Sequence, residues 1–139
     1  MNDNFSAVSF WLVCALHEAG HIIAVKLTGG EIRKIEFSFF GIVMTAAPPV
    51  SVKKGTAVLL SGPAVNFLIW AILLLNGKNG LFCQLNLAAC VFNMLPLSFL
   101  DGGGITALLT EGNPFEREIR PLMILIQLSA VIAYIIFML

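Results

Sequence analysis

The 139-residue chain has hydrophobic side chains at 58% of its positions and charged ones at 12%, and its formal net charge at pH 7 is zero. This composition excludes an ordinary soluble globular domain and indicates a membrane protein. The balanced charge offers no large basic surface, so no binding to nucleic acid is expected. The length leaves room for a single domain, residues 1–139.

Four apolar segments approach the roughly 20 residues that a helix needs to cross the hydrocarbon core of a bilayer. These predicted spans are residues 5–27, 56–75, 81–100 and 122–139. The N-terminal MNDNFS lacks the features of a cleaved secretory signal, so the first segment is expected to stay in the membrane. The second and third are separated only by NGKNG, which predicts an antiparallel helical hairpin. The expected fold is an all-α polytopic membrane protein with about four transmembrane helices.

The connecting segments have their own patterns. Between helices 1 and 2, β-forming residues with partial alternation are closed by Pro48 and Pro49, which predicts a short β hairpin at residues 31–47. After helix 3, the glycines of DGGGITALLTEGNPFEREIRP are expected to break the chain. Asn113 as N-cap and Pro114 at the first helical position then predict a short interfacial helix leading into helix 4.

The distribution of basic residues predicts the orientation. Seven of the eight Lys and Arg side chains fall on one side of this topology, and only Lys78 falls on the other. The seven are Lys26, Arg33, Lys34, Lys53, Lys54, Arg117 and Arg120. Because short cytoplasmic loops carry an excess of basic residues, we expect a multi-pass protein of the cell membrane with both termini outside. The β hairpin and the segment after helix 3 would then face the cytoplasm.

The first apolar segment contains HEAGH, residues 17–21, with the only two histidines of the chain. On a helix, His17 and His21 stand on one face with Cβ atoms about 5–6 Å apart, so both imidazoles can reach one zinc ion at about 2.0–2.1 Å. Glu18 lies at the edge of that face, where it can take a proton from a water molecule as a general base. Ionisable groups inside a spanning helix are costly, which favours a metal site over a chance pattern.

A catalytic zinc ion usually has a third protein ligand. Asp101 is the acidic residue best placed for this role, because it lies between the apolar runs LPLSFL and ITALL and is therefore expected below the membrane interface. Its depth from the cytoplasmic side is expected to be similar to that of His21. Cys14, one turn before His17, is the alternative ligand, although a buried thiol at a helix contact is the favoured interpretation.

Three motifs in order resemble those of the site-2 protease family of intramembrane zinc metalloproteases, and of its sporulation-type prokaryotic members in particular. They are HEAGH, SGPAVNF at residues 61–67 and NMLPLSFLDGG at residues 93–103. The resemblance covers about residues 10–105 and leaves out helix 4. It implies that His17, His21 and Asp101 bind one zinc ion per chain, that Glu18 is the catalytic base, and that Asn93 lines the site.

Four amide side chains in the apolar segments have two possible roles each. Asn66 and Asn93 lie in family-like motifs, and we expect them near the carbonyl group of a substrate, where they would bind it or stabilise an oxyanion. For Asn86 and Gln127 we expect hydrogen bonds that join helices within the membrane.

The predicted function is hydrolysis of a peptide bond in or near a transmembrane segment of a membrane-tethered substrate, as in regulated intramembrane proteolysis. The expected partners are the lipid bilayer and a membrane protein substrate. Two alternatives stay open at this point. One is a non-proteolytic zinc-binding membrane protein, and the other is a different HExxH membrane hydrolase, which would typically take a glutamate from a later helix as its third ligand.

Overall fold

The computed structural model describes residues 3–38, 41–47 and 51–138, which form five helices and two strands. In chain order these are α1 (Asp3–Leu27), β1 (Ile32–Ser38), β2 (Gly41–Ala46), α2 (Val52–Leu75), α3 (Leu81–Asn93), α4 (Asp101–Thr110) and α5 (Glu116–Met138). Among the described residues, three helices are long and apolar enough to cross a membrane, namely α1, α2 and α5. The chain is therefore mostly helical.

Helices α1 and α2 make the most extensive contact between elements of the described chain. Their backbones approach closely at Gly20, where an added Cβ would stand 2.7 Å from the carbonyl oxygen of Ser61. Small residues permit such an approach between membrane helices. Outside the bundle, Lys54 Nζ donates to the carbonyl oxygen of Thr28 at 2.8 Å and ties the end of α1 to the start of α2. This packing sets the face of α1 that carries the histidines directly against α2.

The predicted continuous helix over residues 81–100 is wrong, because α3 ends at Asn93. Its 13 residues extend about 20 Å at 1.5 Å per residue, which is less than the roughly 30 Å of a hydrocarbon core. Pro96 gives the physical reason, since proline has no N–H for an intrahelical hydrogen bond and disfavours a helical residue before it. Instead of four spanning helices, the described chain has three candidate spans and the shorter pair α3 and α4.

The glycines after residue 101 do not break the chain as expected, and they belong to the regular helix α4. They lie where the start of this helix packs on the preceding turn. An added Cβ at Gly102 would overlap the carbonyl group of Met94, and one at Gly103 would overlap that of Leu97. The missing side chains therefore let α4 fold back onto the turn, which places Asp101 at its first position.

The separate interfacial helix expected after Asn113 is also wrong, because residues 116–121 are the first turns of the continuous helix α5. The Asn113 side chain still acts near the helix start, where its Oδ1 accepts a hydrogen bond from the N–H of Phe115 at 2.9 Å. Helix α5 contacts α4 through Gln127, whose Nε2 donates to the carbonyl oxygen of Gly102 at 3.0 Å. The predicted role of Gln127 in joining helices is confirmed.

Strands β1 and β2 pair in antiparallel orientation, with Ile35 opposite Met44 and Glu36 opposite Val43. They lie in the segment for which the sequence predicts a β hairpin. Residues 39–40, which would form the turn, and Pro48 and Pro49 lie outside the described residues. The turn of the hairpin therefore stays a prediction.

Candidate metal centre

The two histidines of HEAGH face the interior of the helix bundle. Their side chains are almost completely buried, with 6% relative exposure for His17 and 5% for His21. The Nε2 atoms of the two rings are 3.1 Å apart. Asp101, at the start of α4, places its Oδ2 3.0 Å from Nε2 of His17 and 3.3 Å from Nε2 of His21. Three possible ligand atoms from two distant parts of the sequence thus converge.

The opposite nitrogen of each ring determines which atom carries the proton. Nδ1 of His21 lies 2.8 Å from the carbonyl oxygen of Val58, which can only accept a hydrogen bond. Nδ1 of His17 lies 2.7 Å from Oδ1 of Asn66. Both neutral rings therefore carry the proton on Nδ1, and each Nε2 presents a lone pair to the shared space.

This arrangement fits a zinc ion. Two lone pairs and a carboxylate oxygen that face one another repel, and a cation between them turns this repulsion into attraction. Ligand atoms at about 2.0–2.2 Å from a tetrahedral zinc ion are about 3.3–3.6 Å from each other, and the three separations here are close to that. Two neutral histidines and a carboxylate are a common donor set of catalytic zinc sites. Among the described residues, His17, His21 and Asp101 form the group that could hold a metal ion.

Space for the ion is provided by Gly62 of α2, which is buried against both rings. An added Cβ at Gly62 would lie 2.7 Å from Nε2 of His17 and closer still to Nε2 of His21. In the sequence, Gly62 is one residue of the SGPAVNF motif, and no separate role was predicted for it. The available signal was that Gly62 is a small residue in a candidate spanning helix, where small residues let another helix approach closely.

Glu18 lies between the two histidines in α1 and does not belong to the group that could hold a metal ion. It is partly buried on the same turn of α1. It follows His17 directly and stands three residues before His21 in the same helix. This location is suitable for a base that takes a proton from water next to the metal, and that role stays a prediction. Cys14, the alternative ligand, is partly buried and does not belong to the group formed by the histidines and the aspartate.

The two asparagines that were expected near a substrate occupy different places. Asn66 is fully buried and bonded to the far side of His17, so the interpretation as a substrate contact does not fit its position. Asn93 donates from Nδ2 to the carbonyl oxygen of Ala89 at 2.9 Å, one turn earlier in its own helix. Its role near a substrate stays a prediction. Asn86 of α3 accepts a hydrogen bond from Asn66 of α2, which confirms that it joins helices.

Comparison with known proteins gives one distant relative. A protein of Synechocystis sp. (strain ATCC 27184 / PCC 6803 / Kazusa) named "Putative zinc metalloprotease sll0528" is 30% identical over 101 residues. The match covers 64% of this chain but 27% of the Synechocystis protein, so the chain spans little more than a quarter of that relative's length. No family model matches the chain, and no solved structure matches it.

Proposed function

We propose that this chain is a zinc-dependent metalloendopeptidase of the site-2 protease type. In this proposal it hydrolyses a peptide bond in or near a transmembrane segment of a membrane-tethered protein. The observation that carries the proposal is the convergence of three candidate ligand atoms within 3.3 Å of one another, two of them from the histidines that flank Glu18 in α1. The name of the Synechocystis relative supports the same chemistry.

The level of the site in the three candidate spans supports a reaction inside the membrane. His17 is the eleventh of the 21 residues of the first span, Ala7–Leu27. Gly62 is the eleventh of 24 in α2, and Gln127, which bonds the start of α4, is the twelfth of 21 in the span of α5. If these helices cross a bilayer, the metal centre lies near its middle. A substrate that reaches it must then itself enter the membrane.

The residues of the site divide into metal ligands and a base in the proposed reaction. His17, His21 and Asp101 would hold the ion. A bound zinc ion supplies Lewis-acid catalysis for the attack of water on a peptide carbonyl. Glu18 takes the proton from the attacking water and returns it to the nitrogen of the leaving amine.

The substrate must expose its scissile bond, since a helix keeps its carbonyl groups in intrahelical hydrogen bonds. We propose that the substrate unwinds locally and pairs as an extended strand with an edge of the β1–β2 sheet, which lies directly after α1 in the sequence. Main-chain pairing of this kind accepts many side chains, so it suits an enzyme that recognises an unwound segment.

The proposal is tested by replacing the third ligand. Asp101→Asn keeps the size and one oxygen but removes the negative charge, so we expect zinc affinity to fall by more than the roughly 10–100-fold typical of residues behind the ligands, and cleavage to fall with it. The measurements are zinc competition with a chelator and cleavage of a membrane-tethered reporter in proteoliposomes. Glu111→Gln, at the other end of α4 and exposed, is the matched control and should change neither quantity.

Other results of this experiment favour other interpretations. Normal zinc binding and cleavage in Asp101→Asn would contradict the ligand assignment, and Cys14→Ser would then be the deciding variant. Stoichiometric zinc in the unmodified chain without cleavage of any tethered reporter would favour a non-proteolytic zinc-binding membrane protein.

The orientation is a separate prediction. In a cysteine-free background, single cysteines at Lys34 or Lys54 should react with an impermeant thiol reagent only from the cytoplasmic side, and a cysteine at Lys78 only from outside. A reporter fused after Leu139 should also lie outside, which requires α3 and α4 together to complete one crossing between α2 and α5. Labelling of intact cells and of inverted vesicles measures both sides. Reaction of the Lys34 or Lys54 position from the exterior would overturn the assignment based on charge.

A further inference from the structure

A chain of buried hydrogen bonds joins the metal centre to helix α3. Asn66 and Asn86 are both completely buried, with 0% relative exposure. Oδ1 of Asn66 lies 2.7 Å from Nδ1 of His17. Nδ2 of Asn66 donates to Oδ1 of Asn86 at 3.0 Å and to the carbonyl oxygen of Val13 at 3.4 Å. Nδ2 of Asn86 donates to the carbonyl oxygen of Phe82 at 2.8 Å.

Two backbone carbonyl groups determine which group donates in each hydrogen bond of this series. The carbonyl oxygens of Val13 and Phe82 can only accept, so the NH₂ groups of Asn66 and Asn86 must face them. The oxygen of Asn86 is then left to accept from Asn66, and the oxygen of Asn66 is left to accept from His17. Nδ1 of His17 must therefore be the donor.

We propose that Asn66, itself held by Asn86, is a positioning residue that keeps the proton of His17 on Nδ1 and so keeps its Nε2 available to a metal ion. The inference rests on the proposed metal site. It gives Asn66 a role different from the substrate contact expected from the sequence. It also explains why the buried amide of Asn66 contacts Nδ1 of His17 and not the Nε2 side that faces the proposed metal site.

His17 has a competing tautomer, with the proton on Nε2, that Asn66 would disfavour. If the ring carried its proton on Nε2, that N–H could donate to Oδ2 of Asp101, which is 3.0 Å away. Such a bond would occupy both ligand atoms and oppose metal binding. The acceptor on Asn66 stabilises the other tautomer. Hydrogen-bond partners of this kind behind metal-ligating histidines typically contribute 10–100-fold to metal affinity.

His21 provides an internal reference for the test. Its Nδ1 donates to the backbone carbonyl of Val58, which no side-chain replacement removes. A change confined to His17 would therefore indicate loss of the Asn66 acceptor, whereas a change in both rings would indicate general loosening of the site. Thr110→Val is the control for loss of a buried polar group, because the Thr110 hydroxyl is completely buried and bonds the carbonyl of Thr106 in its own helix.

The experiment measures tautomers and zinc affinity in the full-length chain. Side-chain ¹⁵N shifts of both histidines are recorded on metal-free protein in detergent, well above the usual histidine pKa of about 6.5, and zinc affinity is measured by chelator competition. We expect Asn66→Leu to move His17 toward the Nε2–H form, to leave His21 unchanged, and to weaken zinc binding by about 10–100-fold. Asn66→Asp retains an acceptor for His17, so its zinc affinity should stay within a few-fold of that of the unmodified chain. The zinc affinity of Thr110→Val should equal that of the unmodified chain.

Unchanged His17 shifts in Asn66→Leu, equal shifts in both histidines, or loss of affinity in Asn66→Asp as large as in Asn66→Leu would each overturn the inference. If Asn66→Leu does not fold, Asn86→Leu decides. It frees the Asn66 amide to rotate and should shift His17 partly, and no shift there would contradict the role of Asn86. If the unmodified chain binds no zinc, the proposed function fails, while the tautomer measurement on metal-free protein still tests the role of Asn66.

Discussion

Gly62→Ala is expected to eliminate zinc binding and, with it, peptide hydrolysis. The methyl group would overlap the Nε2 atoms of His17 and His21, which are the two nitrogens proposed to hold the ion. Helix α2 could avoid the overlap only by moving away from α1, and such a movement would also separate Val58 and Asn66 from the rings that they orient. We expect a loss of zinc affinity larger than the 10–100-fold typical of residues behind the ligands.

A second glycine provides the control for this prediction. A Cβ at Gly104 of α4 would meet the end of the Leu59 side chain at 3.0 Å, and a flexible leucine can adjust. Gly104→Ala should therefore retain one zinc ion per chain and near-normal cleavage. Equilibrium dialysis followed by metal analysis compares the two variants, and the helical circular dichroism of each shows whether it is folded. A folded Gly62→Ala protein with full zinc content would contradict the proposed position of the ion.

Hydropathy predicted the long helices of this fold but not the interrupted one. Helices α1 and α2 are mostly apolar and lie within a few residues of the predicted spans. The run LPLSFL is as apolar as the sequence of a membrane-spanning helix. A hydropathy window therefore does not show that the chain turns there. Pro96 was the local signal for that turn. The helical state of the glycines after Asp101 depends on their contact with residues 94 and 97, and no local pattern encodes such a contact.

The candidate ligands could be proposed from sequence, whereas the groups that orient them could not. Helical spacing alone brings His17 and His21 to one face, and the apolar surroundings of Asp101 indicated its depth. The partner of each Nδ1 depends on how α1 packs on α2, and one of these partners is the backbone carbonyl of Val58. An asparagine in an apolar helix is consistent with a substrate contact or with a helix contact. Only the position of Asn66 behind His17 favours a third role.

Glu18→Gln is expected to lower cleavage by about 10²–10⁴-fold, the usual contribution of a general base, while zinc binding stays intact. Glutamine keeps the shape of glutamate but cannot take a proton from water. Glu18 does not belong to the three candidate ligands His17, His21 and Asp101, so the variant should retain the metal. Glu116→Gln, which removes a carboxylate from the partly exposed start of α5, is the matched control and should cleave normally.

The most direct measurement combines zinc content and cleavage of a membrane-tethered reporter in the same preparations of the unmodified chain and of Glu18→Gln. A zinc-dependent intramembrane protease predicts about one zinc ion per chain in both preparations and cleavage only in the unmodified one. Equal cleavage by the two proteins, each with its zinc, would contradict the assignment of Glu18 as the catalytic base and with it the proposed mechanism.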